Sequence, residues 1–375
     1  MKLSGITINK YRIFSHVQFS FAERFTLISG AHASGKTSLL DAVALTLGEF
    51  ASAIGADPLL NAEPADVAAV GEWAGRPIQW GYRREAEGAV QHGGATQPGV
   101  KHIPRPDDAG RQAELPVFAY YSPCSNPNGW TAAAAPAADA DLFFSSFTSY
   151  PEPVRTAVDR AMEAVASVAH RNAKFAFAGR ASVSWRELSA GARRLAGLAA
   201  DLAARCATLN PAQGGDAASQ TPGVVLIDDI EAGLHPNRQR RLIEDLQNAF
   251  PRIQFIASTY SPFIIQSLAE GRLIDLDNNQ PAEFPDLSIE DITETILGIP
   301  QPQRSKRYLD MRAAAAEYMS LLGKSQDGDP AEKQRLKRRL DELMAPFSTN
   351  QAFCAVLETE RLESGIDDSG EDEEE

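Results

Sequence analysis

Apolar and polar positions alternate through residues 3–29, where LSGITIN, KYRIFSHVQFSF and RFTLIS read as three strands separated by polar turns. The third strand runs into the loop GAHASGKT, and beyond it SLLDAVALTL sets Leu39, Leu40, Val43 and Leu47 on one face of a helix. The order is strand, glycine loop, helix. From about Ala51 to Arg180 the pattern weakens, with loops such as HGGATQPG and the low-complexity run TAAAAPAADAD. Within that stretch LPVFAYY reads as a buried strand and PVRTAVDRAMEAVASVA as a helix, and the whole is expected to be a lobe inserted into a core. A long amphipathic helix is predicted from near Leu188, then a polar linker, PAQGGDAASQTPG. An apolar strand ending in acids, GVVLIDD, follows, then the helix NRQRRLIEDLQNAF and the apolar strand IQFIAST. Such alternation predicts an α/β fold, a mostly parallel sheet covered by helices on both faces. After about Pro300 the pattern is helical: RSKRYLDMRAAAAEYMSLL, AEKQRLKRRLDELMAPF and NQAFCAVLETERLE. The expected organisation is a core domain over residues 1–300, with 51–180 as its inserted lobe, a helical C-terminal region over 301–365, and a tail over 366–375.

Composition narrows the class. No stretch approaches the roughly 18 uninterrupted apolar residues of a membrane span, and the N-terminus alternates where a signal peptide would have an apolar block. This reads as a cytoplasmic protein with no membrane partner. Cys124, Cys206 and Cys354 are scattered and lie near no histidine cluster, which argues for packing roles over disulfides or zinc. Of the net charge of −14, seven negative charges sit in the final DDSGEDEEE, leaving the body near −7. An acidic body argues against a protein coated in DNA contacts, though not against a local basic groove.

Chemistry enters with the loop. GxxxxGK[ST] is matched by Gly30, Gly35, Lys36 and Thr37 in the required strand-before, helix-after context. Glycines let backbone N–H groups approach phosphates, the lysine reaches the β- and γ-phosphates, and the threonine hydroxyl holds magnesium. The expected cradle is Gly30, Ala33, Ser34, Gly35, Lys36, Thr37 and Ser38, with ATP and Mg2+ as ligands. VVLIDDI then delivers Asp228 to the carboxyl end of a buried strand, where an aspartate joins Thr37 in the magnesium shell. A plain turn after a strand is the alternative for that residue.

Between these two elements lies LSAGARR, residues 188–194. LSxGxR at a helix start, after a GxxxxGK[ST] loop and before an hhhhDD strand, resembles the signature of ABC-type ATPases, although an N-capped helix beginning at Ser189 explains the segment alone equally well. IEAGLHP, residues 230–236, and FIASTYSPFII extend the resemblance to the SMC, RecF-like and OLD group. Within it the chain is similar to a branch that includes the PtuA-type ATPases of Septu and retron antiphage systems. The resemblance implies a P-loop NTPase of ABC type in which Ser189, Gly191 and Arg193 reach the γ-phosphate bound by an opposite subunit. Two-fold packing into a homodimer or higher homo-oligomer through composite ATP sites follows. It also implies a nucleotide-dependent sensor or scaffold controlling a separate effector, a nuclease being the leading candidate. The defence role follows only by association.

Two positions depart from the family. Asp229 stands where a catalytic glutamate is expected, and losing one carbon withdraws the carboxylate by about 1.5 Å. Tyr260 stands in place of a switch histidine, and a phenol of pKa near 10 cannot shuttle protons at neutral pH. Both changes predict slow hydrolysis; the alternative is ordinary turnover, with Asp229 or Glu231 positioning water. For His235, helix capping and contact with phosphate or a dimer partner are both open. Gln79 is a minor candidate for the family's magnesium-sensing glutamine. Lys333, Arg335, Lys337, Arg338 and Arg339 crowd one helix, read as a solvated face, with partner or nucleic-acid contact as the sharper option. No histidine follows His235, and no strand–acid pattern follows Pro300, so neither an HNH nor a Toprim nuclease is expected in the chain itself. The rival function is a RecF- or SMC-like DNA-repair ATPase acting directly on DNA.

Overall fold

The computed structural model describes residues 1–53, 64–84, 114–122, 151–165, 168–171, 174–177, 183–184, 187–277, 280–282, 287–322 and 330–363. They divide into two compact units, Met1–Ile299 and Pro300–Glu375.

In the first unit β1 (Lys2–Lys10), β2 (Val17–Ser20) and β3 (Phe25–Ser29) lead into helix α1 (Lys36–Ala53). β4 (Ala65–Trp73), β5 (Arg76–Arg84), β6 (Val117–Tyr121) and helix α2 (Glu152–Ala164) follow. Three short strands, β7 (Val168–Arg171), β8 (Lys174–Phe177) and β9 (Val183–Ser184), form a small sheet of their own before the long helix α3 (Ala190–Leu209). β10 (Gly223–Ile227), α4 (Pro236–Ala249), β11 (Ile253–Ser258), α5 (Pro262–Gln266), β12 (Arg272–Asp275), β13 (Gln280–Ala282) and α6 (Ile289–Thr295) complete the unit. The main sheet has the order β13-β12-β3-β11-β10-β6 and is parallel except for β13. A second sheet, β2-β1-β4-β5, is antiparallel throughout.

Near-continuous apolar runs such as GVVLI and FTLIS make the parallel strands, because both of their faces are buried. Alternation then sorts side chains between two cores. Leu27, Ala119, Val225, Ile227 and Phe255 face the side covered by α2, α3 and α4, while Ile28, Phe118, Val224, Leu226 and Ile256 face α1. Helix α1 is buried all round from residue 41 to 48, more than its one-sided pattern suggests. The cause is the antiparallel sheet, which closes over the face a surface helix would leave wet; Phe50 meets Trp73 and Trp80 there.

Of residues 51–180, the described pieces supply β4 and β5 to one sheet, β6 to the other, and α2, which shares a core with α3. The helix read over PVRTAVDRAMEAVASVA ends at Ala164. Val165 is already extended, at φ −82° and ψ 103°, and Val168 begins a strand, consistent with the preference of β-branched residues for a pleated surface.

The second unit holds α7 (Lys306–Leu322), α8 (Pro330–Met344) and α9 (Gln351–Glu363), which close on a small core of Tyr318, Leu322, Leu340 and Leu357. Arg361 pairs with Asp341 at 2.7 Å, and Arg339 pairs with both Glu317 and Glu342, so part of the basic face is neutralised within the unit. Arg335, Lys337 and Arg338 are exposed, while the side chain of Lys333, the acidic tail and Cys124 lie outside the described residues. No helix among the described residues is long and apolar enough to cross a membrane.

Candidate nucleotide-binding site

Because β3, β11, β10 and β6 run parallel, the loops after them gather at one edge of the sheet. β11 lies between β3 and β10, and its last residue joins their loops. Ser258 Oγ donates to Asp228 Oδ1 at 2.5 Å and accepts from the backbone N–H of Asp229 at 2.8 Å. From the first turn of α1, Thr37 Oγ1 donates to the other oxygen of Asp228 at 2.9 Å. A threonine hydroxyl beside a buried carboxylate is an oxygen donor pair suited to a hard divalent cation, so the residues present fit Mg2+. A bound Mg2+ would offset charge on phosphate oxygens there.

The glycine loop turns through positive φ at Gly30 (147°), Ala33 (64°) and Gly35 (99°), the conformation in which successive amides form an anion-binding concavity. Both glycines are held to their type by that backbone: a Cβ would meet only the ends of side chains that can turn aside, Ser34 Oγ at 2.6 Å from Gly30 and Ile13 Cδ1 at 2.3 Å from Gly35, but the positive φ would strain it. Asp277 accepts from the N–H of Ala31 at 2.7 Å, fixing the loop from the end of β12. Lys36 is 4% exposed; its Nζ donates to the carbonyls of Gly30 (2.7 Å) and Ala31 (2.8 Å) and lies 3.7 Å from the centre of the Tyr260 ring. Burial pushes this ammonium below the usual lysine range, against the pull of Asp229 and Asp277.

Asp229 and Glu231, the two candidates for positioning water, are held differently. Asp229 has left-handed backbone, φ 48°, and its carboxylate accepts no hydrogen bond among the described residues. Desolvation first, then the charge of Asp228, raise its pKa above the ordinary aspartate value. Glu231 is committed to the loop after β11: one carboxylate oxygen accepts from Tyr260 N–H at 2.6 Å, the other from Thr259 Oγ1 at 2.7 Å. Burial raises its pKa, and those two donors pull it partly back.

The signature segment sits elsewhere on the chain. Ser189 caps α3, accepting from Ala192 N–H at 3.2 Å, and Gly191 is pressed onto the loop that follows β10. A Cβ on Gly191 would lie 1.9 Å from the Gly233 carbonyl oxygen, and Gly233 itself is left-handed at φ 74°. Among the described residues no hydrogen bond or ion pair joins Ser189, Gly191 or Arg193 to residues 30–38 of the same chain. The glycine loop and the LSAGARR segment thus stand apart, without a bond between them among the described residues.

Several residues of this region went unread in the sequence. Arg194 NH2 donates to the carbonyl of Asp228 at 2.7 Å, and its NH1 is buried with no partner among the described residues. Helical spacing carries the signal, because Gly191, Arg194, Leu195 and Leu198 share the inward face of α3. Arg12 pairs with Asp41 at 2.6 Å, and Tyr120 also bonds Asp41, bracing α1 against β6. His235 caps α4 through Nδ1, which accepts from Asn237 N–H at 3.3 Å. Gln79 lies exposed on β5 opposite Val70, in the antiparallel sheet and not in the sheet that carries Asp228.

Residues 80–266 match a family described as "AAA domain, putative AbiEii toxin, Type IV TA system", and residues 5–73 match one described as "AAA domain". The chain is 37% identical over 95 residues to the retron Vc95 probable ATPase of Vibrio cholerae, a match covering 24% of this chain and 17% of that protein. It is 44% identical over 61 residues to the Septu protein PtuA of Bacillus mycoides, covering 16% of this chain and 9% of that one. Each match thus spans less than a fifth of the relative's length. An SMC head domain from Thermotoga maritima aligns with a TM-score of 0.45 and 17% identity, over 77% of this chain and all of that one.

Proposed function

We propose that the chain, which matches AAA-domain families and has retron and Septu proteins among its relatives, is the ABC-type, ATP-binding subunit of a bacterial antiphage defence complex, a nucleotide-dependent scaffold that hydrolyses ATP slowly. One observation carries this reading. Lys36, Thr37, Asp228 and Asp229 converge at the edge of the parallel sheet, while Ser189 and Gly191 lie on a segment that makes no bond to residues 30–38 among the described residues. Lys36 and the loop amides bind the phosphates, Thr37 and Asp228 hold Mg2+, and Asp229 orients water from a short and strained position. ATP then stabilises a two-fold dimer by bridging the Gly30–Ser38 loop of one copy and the Ser189 helix start of the other. The helical second unit, with Val356 and Leu362 exposed on α9, is the surface assigned to a separate effector, a nuclease in this reading. Titration with MgATP, followed by calorimetry and light scattering, tests it: the wild-type chain binds and associates, and Lys36→Ala does neither. A Lys36→Ala chain that binds MgATP and dimerises like the wild type would overturn the proposal.

A further inference from the structure

Lys36 Nζ has three N–H donors and is already engaged by the protein: two carbonyls of its own loop, Ser34 Oγ at 3.5 Å and the face of Tyr260. At 4% exposure the lysine is sealed, whereas the tyrosine that seals it is 41% exposed and stands at the surface. A phosphate reaches Lys36 only when a covering group moves. The carbonyls belong to the loop framework, so the Tyr260 ring is the part free to leave. What holds the ring in place is equally specific. Glu231 grips the main chain of Tyr260 and the hydroxyl of Thr259, and Gln239 bridges the same two loops by accepting from Ser261 Oγ at 2.6 Å and donating to the Leu234 carbonyl at 2.8 Å.

Resting on the nucleotide reading above, we propose that Tyr260 acts through the face of its ring, competing with nucleotide phosphates for Lys36, and that Glu231 is the positioning residue that holds it there. Glu231 is then no base. The phenol hydroxyl takes no part, so the residue in the place of the switch histidine sets affinity without moving protons. Two consequences separate this arrangement from hydroxyl or base chemistry. Phenylalanine keeps the ring face. Glutamine at position 231 keeps an acceptor for Tyr260 N–H and offers an amide N–H to the Thr259 hydroxyl, which turns to accept it, while losing all basicity.

The test is MgATP affinity by calorimetry and single-turnover hydrolysis in the full chain, with Tm recorded for every variant. Tyr260→Phe is expected to match the wild type in both. Tyr260→Ala is expected to tighten MgATP binding by about two- to thirtyfold, the range of a cation–π contact released from competition. Glu231→Ala should tighten MgATP binding as Tyr260→Ala does, and the conservative Glu231→Gln should restore the affinity toward that of the wild type. A Tyr260→Phe chain whose affinity shifts as far as that of Tyr260→Ala, a Tyr260→Ala chain that binds more weakly, or a Glu231→Gln chain that tightens as much as Glu231→Ala would each overturn the inference. Failure of the nucleotide reading itself is distinct, since Lys36→Ala would then leave MgATP binding unchanged.

Discussion

Replacing Gly191 by alanine adds one methyl where α3 meets the loop after β10. The new Cβ would stand 1.9 Å from the Gly233 carbonyl oxygen, 2.4 Å from its carbon and 3.0 Å from the Leu234 nitrogen, all backbone atoms. Real Cβ contacts do not fall below 3.0 Å, so helix and loop must part by at least about 1.1 Å. Overpacking of this kind costs about 1–3 kcal/mol, while alanine returns up to about 1 kcal/mol of helix propensity. The sum is a loss, read as a Tm lowered by a few degrees. Function should suffer more, since a displacement near 1 Å in a catalytic assembly costs on the order of a hundredfold in rate. Scanning fluorimetry and MgATP-dependent light scattering measure the two effects, with Ser189→Ala as a control that removes the helix cap without adding bulk. If Gly191→Ala kept the wild-type Tm and associated normally, the close approach at Gly233 would be irrelevant to stability and assembly alike.

Four further outcomes are expected. Asp229→Glu restores the missing carbon and should raise single-turnover hydrolysis by about ten- to a hundredfold; an unchanged rate means that reach does not limit the reaction. With its pKa raised, Asp229 should make hydrolysis decline on acidification from a pH above the ordinary aspartate value, since the carboxylate must be ionised to orient water. The sign for stability follows from the same shift: a raised folded-state pKa gives stability that is lost as pH rises through it, so Asp229→Asn should raise Tm at neutral pH, and the gain should vanish as pH falls into the carboxylate range. Tyr121→Phe removes the hydroxyl that donates to part-buried Asp201 at 2.7 Å, leaving Arg205 to hold that carboxylate alone, and should destabilise by about 1–3 kcal/mol in denaturant titration.

Much of the core was legible because its signals are local. FTLIS and GVVLI read as buried strands, and the glycine spacing between the first of them and α1 states its own conformation. What escaped depends on contacts distant in the chain. Nothing near Leu39 announces that β4 and β5 will cover the far side of α1. LSAGARR contains two arginines, and although helical spacing sets the second on the inward face of α3, it does not say that Asp228 is what it meets there. Glu231 could be named as a candidate base, but its engagement by Thr259 and Tyr260 arises only when β10 and β11 pair in register. Cys206, by contrast, was read as a packing residue and is fully buried, and desolvation pushes its pKa up to about 12, which leaves it inert.

The backbone at Asp229 also bears on how this site could change over evolutionary time. At φ 48° the peptide adopts a shape that aspartate and asparagine tolerate better than longer side chains do. A one-step return to glutamate would gain reach while adding torsional cost at the same residue, and relaxing the turn first would leave a short acid with nothing to gain. On the slow-turnover reading proposed above, the identity of the acid and the handedness of its peptide are coupled, so the faster Asp229→Glu chain is expected to be the less stable one.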